Sequence, residues 1–215
     1  MAQIFPKWTN SLPRNIAVSG GILVIIVVAG IWYYWSPQFT DVGYAPVQPV
    51  PYSHKLHVGE LGMDCRYCHI GVESSPVAMV PPTQTCMNCH TLVKPESEKL
   101  AAIRASWESK EPMRWIRIHK VPDYAYFDHS AHLRAGVGCE SCHGDVSAME
   151  VVELKEPLSM GWCLTCHRNP DAHLRAQEDV TVMGWVAPDD QAQRAAAIKK
   201  ALNINPPETC SGCHR

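Results

Sequence analysis

Cysteines and histidines at fixed spacing are the residues of this sequence best suited to chemistry. All ten cysteines fall in Cys-x-x-Cys-His motifs. In chain order, the five motifs are Cys65/Cys68/His69, Cys86/Cys89/His90, Cys139/Cys142/His143, Cys163/Cys166/His167 and Cys210/Cys213/His214. Paired cysteines also occur in disulfides and zinc sites, but neither use requires a histidine directly after the second cysteine.

The repeated histidine favours covalent attachment of haem c. In such a motif the two thiols form thioethers with the porphyrin vinyl groups, and the adjacent imidazole binds the iron. The sequence therefore predicts five haem c groups, with the ten cysteines as attachment residues and the five motif histidines as iron ligands. Residues 36–215 would hold all five, whereas a domain of ordinary size has about 100 residues. We expect the haems to form most of the interior.

Six further histidines could supply the sixth ligands of the irons. Four of them lie in two copies of an aromatic-x-His-x-x-His pattern, each followed by two haem motifs. Residues 52–90 and 127–167 are thus interpreted as two copies of a two-haem module. On a helix the i, i+3 spacing places two imidazoles on neighbouring faces. The predicted sixth ligands within the modules are His54, His57, His129 and His132.

The fifth motif, at 210–214, has no such pattern in front of it, and His119 is the favoured partner for its iron. His173 follows a turn-like stretch and is expected to be exposed. Together these residues predict five low-spin haems with two histidine ligands each. Sequence order does not assign each histidine to an iron, and a methionine ligand at one haem stays open, with Met79, Met149, Met160 and Met183 as candidates.

The elements around the motifs begin with a membrane segment. Residues 16–35 contain no charged side chain and, as a helix, would be about 30 Å long, which matches a bilayer core. A cleaved signal peptide is the competing interpretation, but the apolar run is long and ends in aromatic residues. Lys7 and Arg14 precede the segment, so the positive-inside rule predicts a single-pass inner-membrane protein. Residues 1–15 would be cytoplasmic and residues 36–215 periplasmic.

The predicted fold class is mostly α and irregular. One transmembrane helix precedes a multihaem cytochrome c domain with little regular secondary structure. Helical spacing of apolar residues predicts packing helices over Pro95–Glu108 and Pro188–Asn203, and no convincing strand pattern occurs. The 19 basic and 21 acidic residues do not form the basic surface that nucleic-acid binding requires.

The chain resembles the pentahaem cytochrome c subunits of alternative complex III, which are related to the cytochrome c3/c7 group. The resemblance covers the N-terminal anchor, the five motifs and the segments Trp115–Pro122, Phe127–Cys139, Leu158–Cys163 and Asn205–Cys210. It implies a membrane complex that oxidises menaquinol, with polytopic subunits that hold the quinol. The chain would pass electrons from an iron–sulfur subunit to a mono-haem cytochrome c subunit, and then to a soluble cytochrome c or a copper protein.

In this interpretation the chain is an electron carrier and not an enzyme on its own. Two alternatives remain open. The first is an anchored multihaem dehydrogenase that reacts directly with menaquinol. The second is a catalytic multihaem enzyme of the nitrogen cycle, although such enzymes often carry a variant motif and the five motifs here are regular.

Overall fold

The computed structural model describes residues 4–214, which divide after Asp41 into two compact units. In the first unit, a 3-10 turn at Lys7–Asn10 leads into helix α1, Leu12–Tyr34, and a single turn follows as α2, Pro37–Thr40. Helix α1 has 23 residues, and its most apolar window has a mean hydropathy of 2.4. It is therefore long and apolar enough to cross a membrane.

Helix α1 starts four residues before the predicted segment. Pro13 lies in its first turn, where the missing N–H costs nothing, and nothing between it and Ile16 interrupts the helix. The helix ends at Tyr34 because Ser36 precedes Pro37, and a residue before proline disfavours helical backbone.

The second unit, from Val42 onward, consists of short helices joined by irregular chain. A π-helical segment spans Lys55–Glu60, and 3-10 turns span Glu98–Leu100, Val146–Ala148, Asp171–His173 and Gln177–Asp179. The α-helices are α3 Cys65–Cys68, α4 Thr83–His90, α5 Ala101–Ser109, α6 His129–Arg134, α7 Glu140–His143, α8 Met160–Arg168, α9 Gln191–Leu202 and α10 Cys210–Cys213. Residues 4–214 contain isolated β-bridges but no strand.

Both predicted packing helices are present and shorter than expected. The first is the 3-10 turn at Glu98–Leu100 followed by α5, and the second is α9. Lys94 has a φ of 51°, in the left-handed region, so the chain turns before it can become helical. Asn203, also at 51°, ends α9 in the same conformation.

The apolar core of the second unit is small. Within the described part of the chain, the buried hydrophobic residues are Val50, Ile103, Leu133, Met149, Leu154, Leu174, Val180 and Ala195. Such a core is too small to hold a domain of this length together by itself. A large apolar cofactor that fills the interior fits this composition.

Backbone contacts connect the two modules reciprocally. In the first module, the Lys55 N–H donates to the Met149 carbonyl at 3.0 Å, in the loop after the third motif. In the second, the His129 N–H donates to the Pro76 carbonyl at 3.2 Å, in the loop after the first motif. Each histidine segment is thus positioned by the other module.

Candidate haem-attachment sites

A helical turn brings the two cysteines of each motif to one face; in the third motif Cys139 is the residue just before α7. Their i, i+3 spacing brings both thiols to the same side of a helical turn, as attachment to one macrocycle requires. Two of these helices have side-chain caps: Asp64 accepts from the Arg66 N–H at 2.8 Å before α3, and Ser159 accepts from the Trp162 N–H at 3.3 Å before α8. The caps start the helix just ahead of the attachment residues.

The ten cysteine thiols are free. None of them is paired in a disulfide in the described structure. A zinc site would need three or four protein ligands that converge. Within residues 4–214, no group of three or more histidine, cysteine or acidic side chains is arranged to hold a metal ion. Thiol pairs beside single histidines fit haem c attachment instead.

Four motif histidines are held in the tautomer that would leave Nε2 available to an iron. Nδ1 of His69 lies 2.7 Å from the Met79 carbonyl, and Nδ1 of His167 lies 2.7 Å from the Pro207 carbonyl. The same contact occurs at His90 and His214, at 2.9 and 3.0 Å. A carbonyl oxygen only accepts, so Nδ1 carries the proton and the Nε2 lone pair is available to a metal.

Three pairs of imidazoles have the spacing of two ligands on one metal ion. A metal–nitrogen bond is about 2 Å long and a ring centre lies about 1 Å behind its nitrogen, so such rings have centroids about 6 to 6.5 Å apart. The observed separations are 6.3, 6.4 and 6.1 Å, for His57/His90, His129/His143 and His132/His167 respectively. Each pair joins a motif histidine to a predicted sixth ligand.

An aromatic ring positions the histidines in each module. Tyr52 stacks on His57 with centroids 4.5 Å apart and planes 22° apart, and Phe127 stacks on His132 at 4.5 Å and 29°. Each aromatic ring also meets the first histidine of its own pattern edge to face, at 4.8 and 4.7 Å. The sequence shows that an aromatic residue recurs two positions before each histidine pair. Only the structure shows that this residue packs against both histidines.

Backbone carbonyls also hold three of the predicted sixth ligands. Nδ1 of His57 donates to the Ser53 carbonyl at 2.9 Å, and Nδ1 of His132 donates to the Asp128 carbonyl at 2.7 Å. Nδ1 of His129 donates to the Pro76 carbonyl at 2.8 Å. As in the motif histidines, Nε2 is left available for iron.

His54, His119 and His143 are held neutral by burial. Burial lowers the pKa of His54 to about 4, with His69 as the first neighbouring charge that lowers it further. Burial likewise lowers the pKa of His119 to about 4 and of His143 to about 3. His54 Nδ1 and His119 Nε2 are buried without a hydrogen-bond partner. A buried, unpartnered imidazole nitrogen is costly, and iron would give His119 Nε2 a partner.

His119 lies at the third motif. Its ring centroid is 4.3 Å from that of His143, which is too close for an iron between the two rings. The His214 ring of the fifth motif instead lies beside Tyr124, at 5.7 Å. The structure therefore does not bring His119 to the fifth motif, where the sequence analysis favoured it. His173, expected to be exposed, is half-buried, with Nδ1 3.2 Å from the Ser141 hydroxyl.

A buried arginine beside the third motif was missed from the sequence. The Arg175 side chain is 4% exposed, and its guanidinium lies over the Trp185 ring and pairs with Glu140 at 3.6 Å. Gly138 leaves the space for it, because a Cβ there would lie 2.3 Å from Cζ. Its Nε has no hydrogen-bond partner. Arg175 is 36 positions beyond Cys139, so no local pattern connects it to the motif.

Comparisons with known proteins show similarity to multihaem cytochromes c. Residues 125–215 match the family described as cytochrome c7 and related cytochrome c. This match contains the second module and the fifth motif. The chain is also similar to the protein named menaquinone reductase, multiheme cytochrome c subunit, from Nitratidesulfovibrio vulgaris. The two are 29% identical over 184 residues, with 74% of this chain and 87% of that protein covered.

The predicted fold class is confirmed. The described chain has one apolar N-terminal helix, no β-strand within residues 4–214, and short helices that carry the five motifs. Its C-terminal part is similar to the cytochromes c7. In chain order, the protein consists of a single apolar helix followed by a multihaem cytochrome c domain.

Proposed function

We propose that this chain is the electron-transfer subunit of a quinone-linked membrane complex. The observation that carries the proposal is the set of three imidazole pairs 6.1–6.4 Å apart. Two histidines per iron leave no position for a substrate, which favours a carrier over a catalyst. When bound, haem c supplies one-electron chemistry, because its iron alternates between the ferric and ferrous states.

The apolar helix α1 would anchor the subunit, with the N-terminus in the cytoplasm and the motifs on the periplasmic side. Its length and composition support a membrane span, and Lys7 and Arg14 support this orientation. An iron–sulfur subunit, polytopic quinone-binding subunits and a mono-haem cytochrome c are the partners that the resemblance to alternative complex III implies.

The direction of electron flow distinguishes two versions of this proposal. Subunits of alternative complex III serve menaquinol oxidation, whereas the similar protein is named a menaquinone reductase. A redox titration of the purified chain, compared with the menaquinone couple, tests the direction. Potentials well above that couple would support menaquinol oxidation, and potentials at or below it would support menaquinone reduction.

Electron paramagnetic resonance of the oxidised protein tests the carrier role. Low-spin signals for all five haems are the expected result. A stoichiometric high-spin signal would show an open iron position and would favour a catalytic multihaem enzyme.

Incubation of the isolated chain with a menaquinol analogue tests the alternative of a direct quinol dehydrogenase. The expected result is slow or absent haem reduction without the partner subunits. Rapid reduction of the single chain would contradict the carrier proposal.

A further inference from the structure

The five motifs do not follow one another in space in the order of the sequence. Contacts between them connect the second motif to the first, the first to the third, the third to the fourth and the fourth to the fifth. We infer that the five haem sites form one unbranched row in the order second, first, third, fourth, fifth. The second and fifth sites are its ends, where redox partners exchange electrons. The exchange at the ends rests on the proposed function, whereas the order of the sites does not.

The first link joins the second and first motifs. The Asn88 side-chain amide, inside the second motif, donates to the Tyr67 hydroxyl, inside the first motif, at 3.3 Å. The two attachment sites are therefore neighbours.

The second link joins the first and third motifs. The Cys139 N–H donates to the Val180 carbonyl at 2.9 Å, and the neighbouring Thr181 hydroxyl donates to the carboxylate of Asp64, directly before Cys65, at 3.2 Å. The reciprocal contacts of Lys55 with Met149 and of His129 with Pro76 hold these two sites together. The link is thus supported by both side chains and backbone.

The third link joins the third and fourth motifs through helix α6. Its two histidines are three positions apart, and His129 pairs with His143 while His132 pairs with His167. Because one helical turn carries ligands for both irons, the two sites must be adjacent.

The fourth link joins the fourth and fifth motifs. The His167 imidazole donates to the Pro207 carbonyl at 2.7 Å, three positions before Cys210. Arg168 pairs with Glu208 at 3.3 Å.

Exposure of the cysteines identifies the same two ends. Cys89 of the second motif and Cys210 of the fifth are exposed, and the other eight cysteines are partly buried. This observation is independent of the contacts between motifs. A row with any other pair of terminal sites would place an exposed cysteine in its interior.

Iron-edge anomalous diffraction from crystals of the haem-loaded protein tests the order, because each iron can be assigned from the motif that holds it. The irons of the second and fifth motifs should be farthest apart, each with one near neighbour, and the other three should have two. A branched cluster, or a row with the first, third or fourth motif at an end, would overturn the inference.

Electron exchange with a basic mono-haem cytochrome c, used as the probe at low ionic strength, tests the ends. Leu92 follows the second motif and is 86% exposed, and Ser211 lies inside the fifth motif. Val186 is 84% exposed beside Trp185, whose N–H donates to Glu140 of α7 at the third motif, and it serves as the matched control.

Leu92→Lys or Ser211→Lys should slow this exchange more than Val186→Lys, because a new positive charge repels the probe most where it docks. High salt should abolish the difference. Equal slowing in the three variants would overturn the assignment of the ends. If the irons lie in the inferred order and no variant slows transfer, the proposed function fails and the order stands.

Discussion

The two modules, residues 52–90 and 127–167, show how the same ligand geometry arises twice in one chain. Tyr52 on His57 and Phe127 on His132 have the same centroid separation of 4.5 Å. The second histidine of each pattern pairs with the histidine of its module's second motif, at 6.3 and 6.1 Å. The aromatic stack and the histidine spacing therefore define the module.

The backbone under these residues differs between the copies. Lys55–Glu60 is π-helical and contains no buried residue, whereas α6 is a regular helix that buries Ser130 and Leu133. The second copy carries ligands for two inner sites of the inferred row, and the first includes its exposed end. The ligand geometry thus depends on ring contacts and not on one type of helix.

The largest expected effect is a change in the spin state of one haem in each module, caused by His57→Ala or His132→Ala. Each removes one sixth ligand, so one of the five haems should become high-spin while covalent attachment is unchanged. Electron paramagnetic resonance and visible absorbance measure the change. His173→Ala is the control and should leave all haems low-spin, because His173 belongs to none of the three imidazole pairs. Unchanged spectra in both alanine variants would show that the ligand assignment is wrong.

Removal of the aromatic stack should affect both modules alike. Tyr52→Ala and Phe127→Ala should each lower the free energy of unfolding by about 2–3 kcal/mol, below the range for fully buried aromatic residues, because both side chains are partly exposed. Tyr52→Phe converts the first copy to the second and should cost much less. Thermal unfolding of the haem-loaded protein measures the effects. A large loss of stability from only one of the two alanine substitutions would show that the aromatic residues do not have the same role in the two modules.

The packing of one module on the other is tested by Gly59→Ala. A Cβ at Gly59 would lie 2.4 Å from the Ser147 carbonyl oxygen, so the two modules would have to separate slightly. We expect a loss of about 1–3 kcal/mol, as for other overpacked sites. Gly161→Ala in α8 is the matched control, since nothing lies within 4 Å of a Cβ there. Equal melting temperatures of the two variants would contradict this contact.

The smallest expected effect is the loss of stability when the side-chain caps of the motif helices, Asp64 of α3 and Ser159 of α8, are removed. Ser159→Ala should cost about 1 kcal/mol at any pH, because a hydroxyl does not titrate in this range. Asp64→Ala should cost a similar amount at neutral pH. The Arg66 side chain, through its hydrogen bond, lowers the pKa of Asp64 to about 2, from an ordinary value of 3.8.

Because the folded-state pKa of Asp64 is the lower one, its contribution is complete above about pH 4 and is lost as the pH falls toward 2. Unfolding in denaturant across this pH range measures it. The difference between wild type and Asp64→Ala should shrink on acidification, while the difference for Ser159→Ala should persist. A pH-independent effect at Asp64 would contradict the charged cap.

Much of the candidate site was predictable because its pattern is local. A Cys-x-x-Cys-His motif places its two thiols on one helical turn in any fold, and the repeat of Tyr52 and His57 as Phe127 and His132 is visible in the sequence. The apolar helix was predictable for the same reason, with an error of four residues at its start.

Contacts between distant segments were not predictable. Arg175 reaches the third motif from 36 positions away, and His119 lies beside His143 when its place in the sequence suggested the fifth motif. Neither residue belongs to a repeating pattern. Their positions depend on how loops pack, and local propensity does not determine that packing.

The sequence by itself determined the kind of chemistry: five two-thiol attachment motifs, enough histidines for each iron, and one apolar helix. Those features depend on covalent bonds and on residues within a few positions of each other. Only the tertiary structure decided which imidazoles lie close together and that Pro76, after the first motif, meets His129, before the third. The physical reason is that the order of redox sites depends on distances between segments, which arise when the two modules pack against each other.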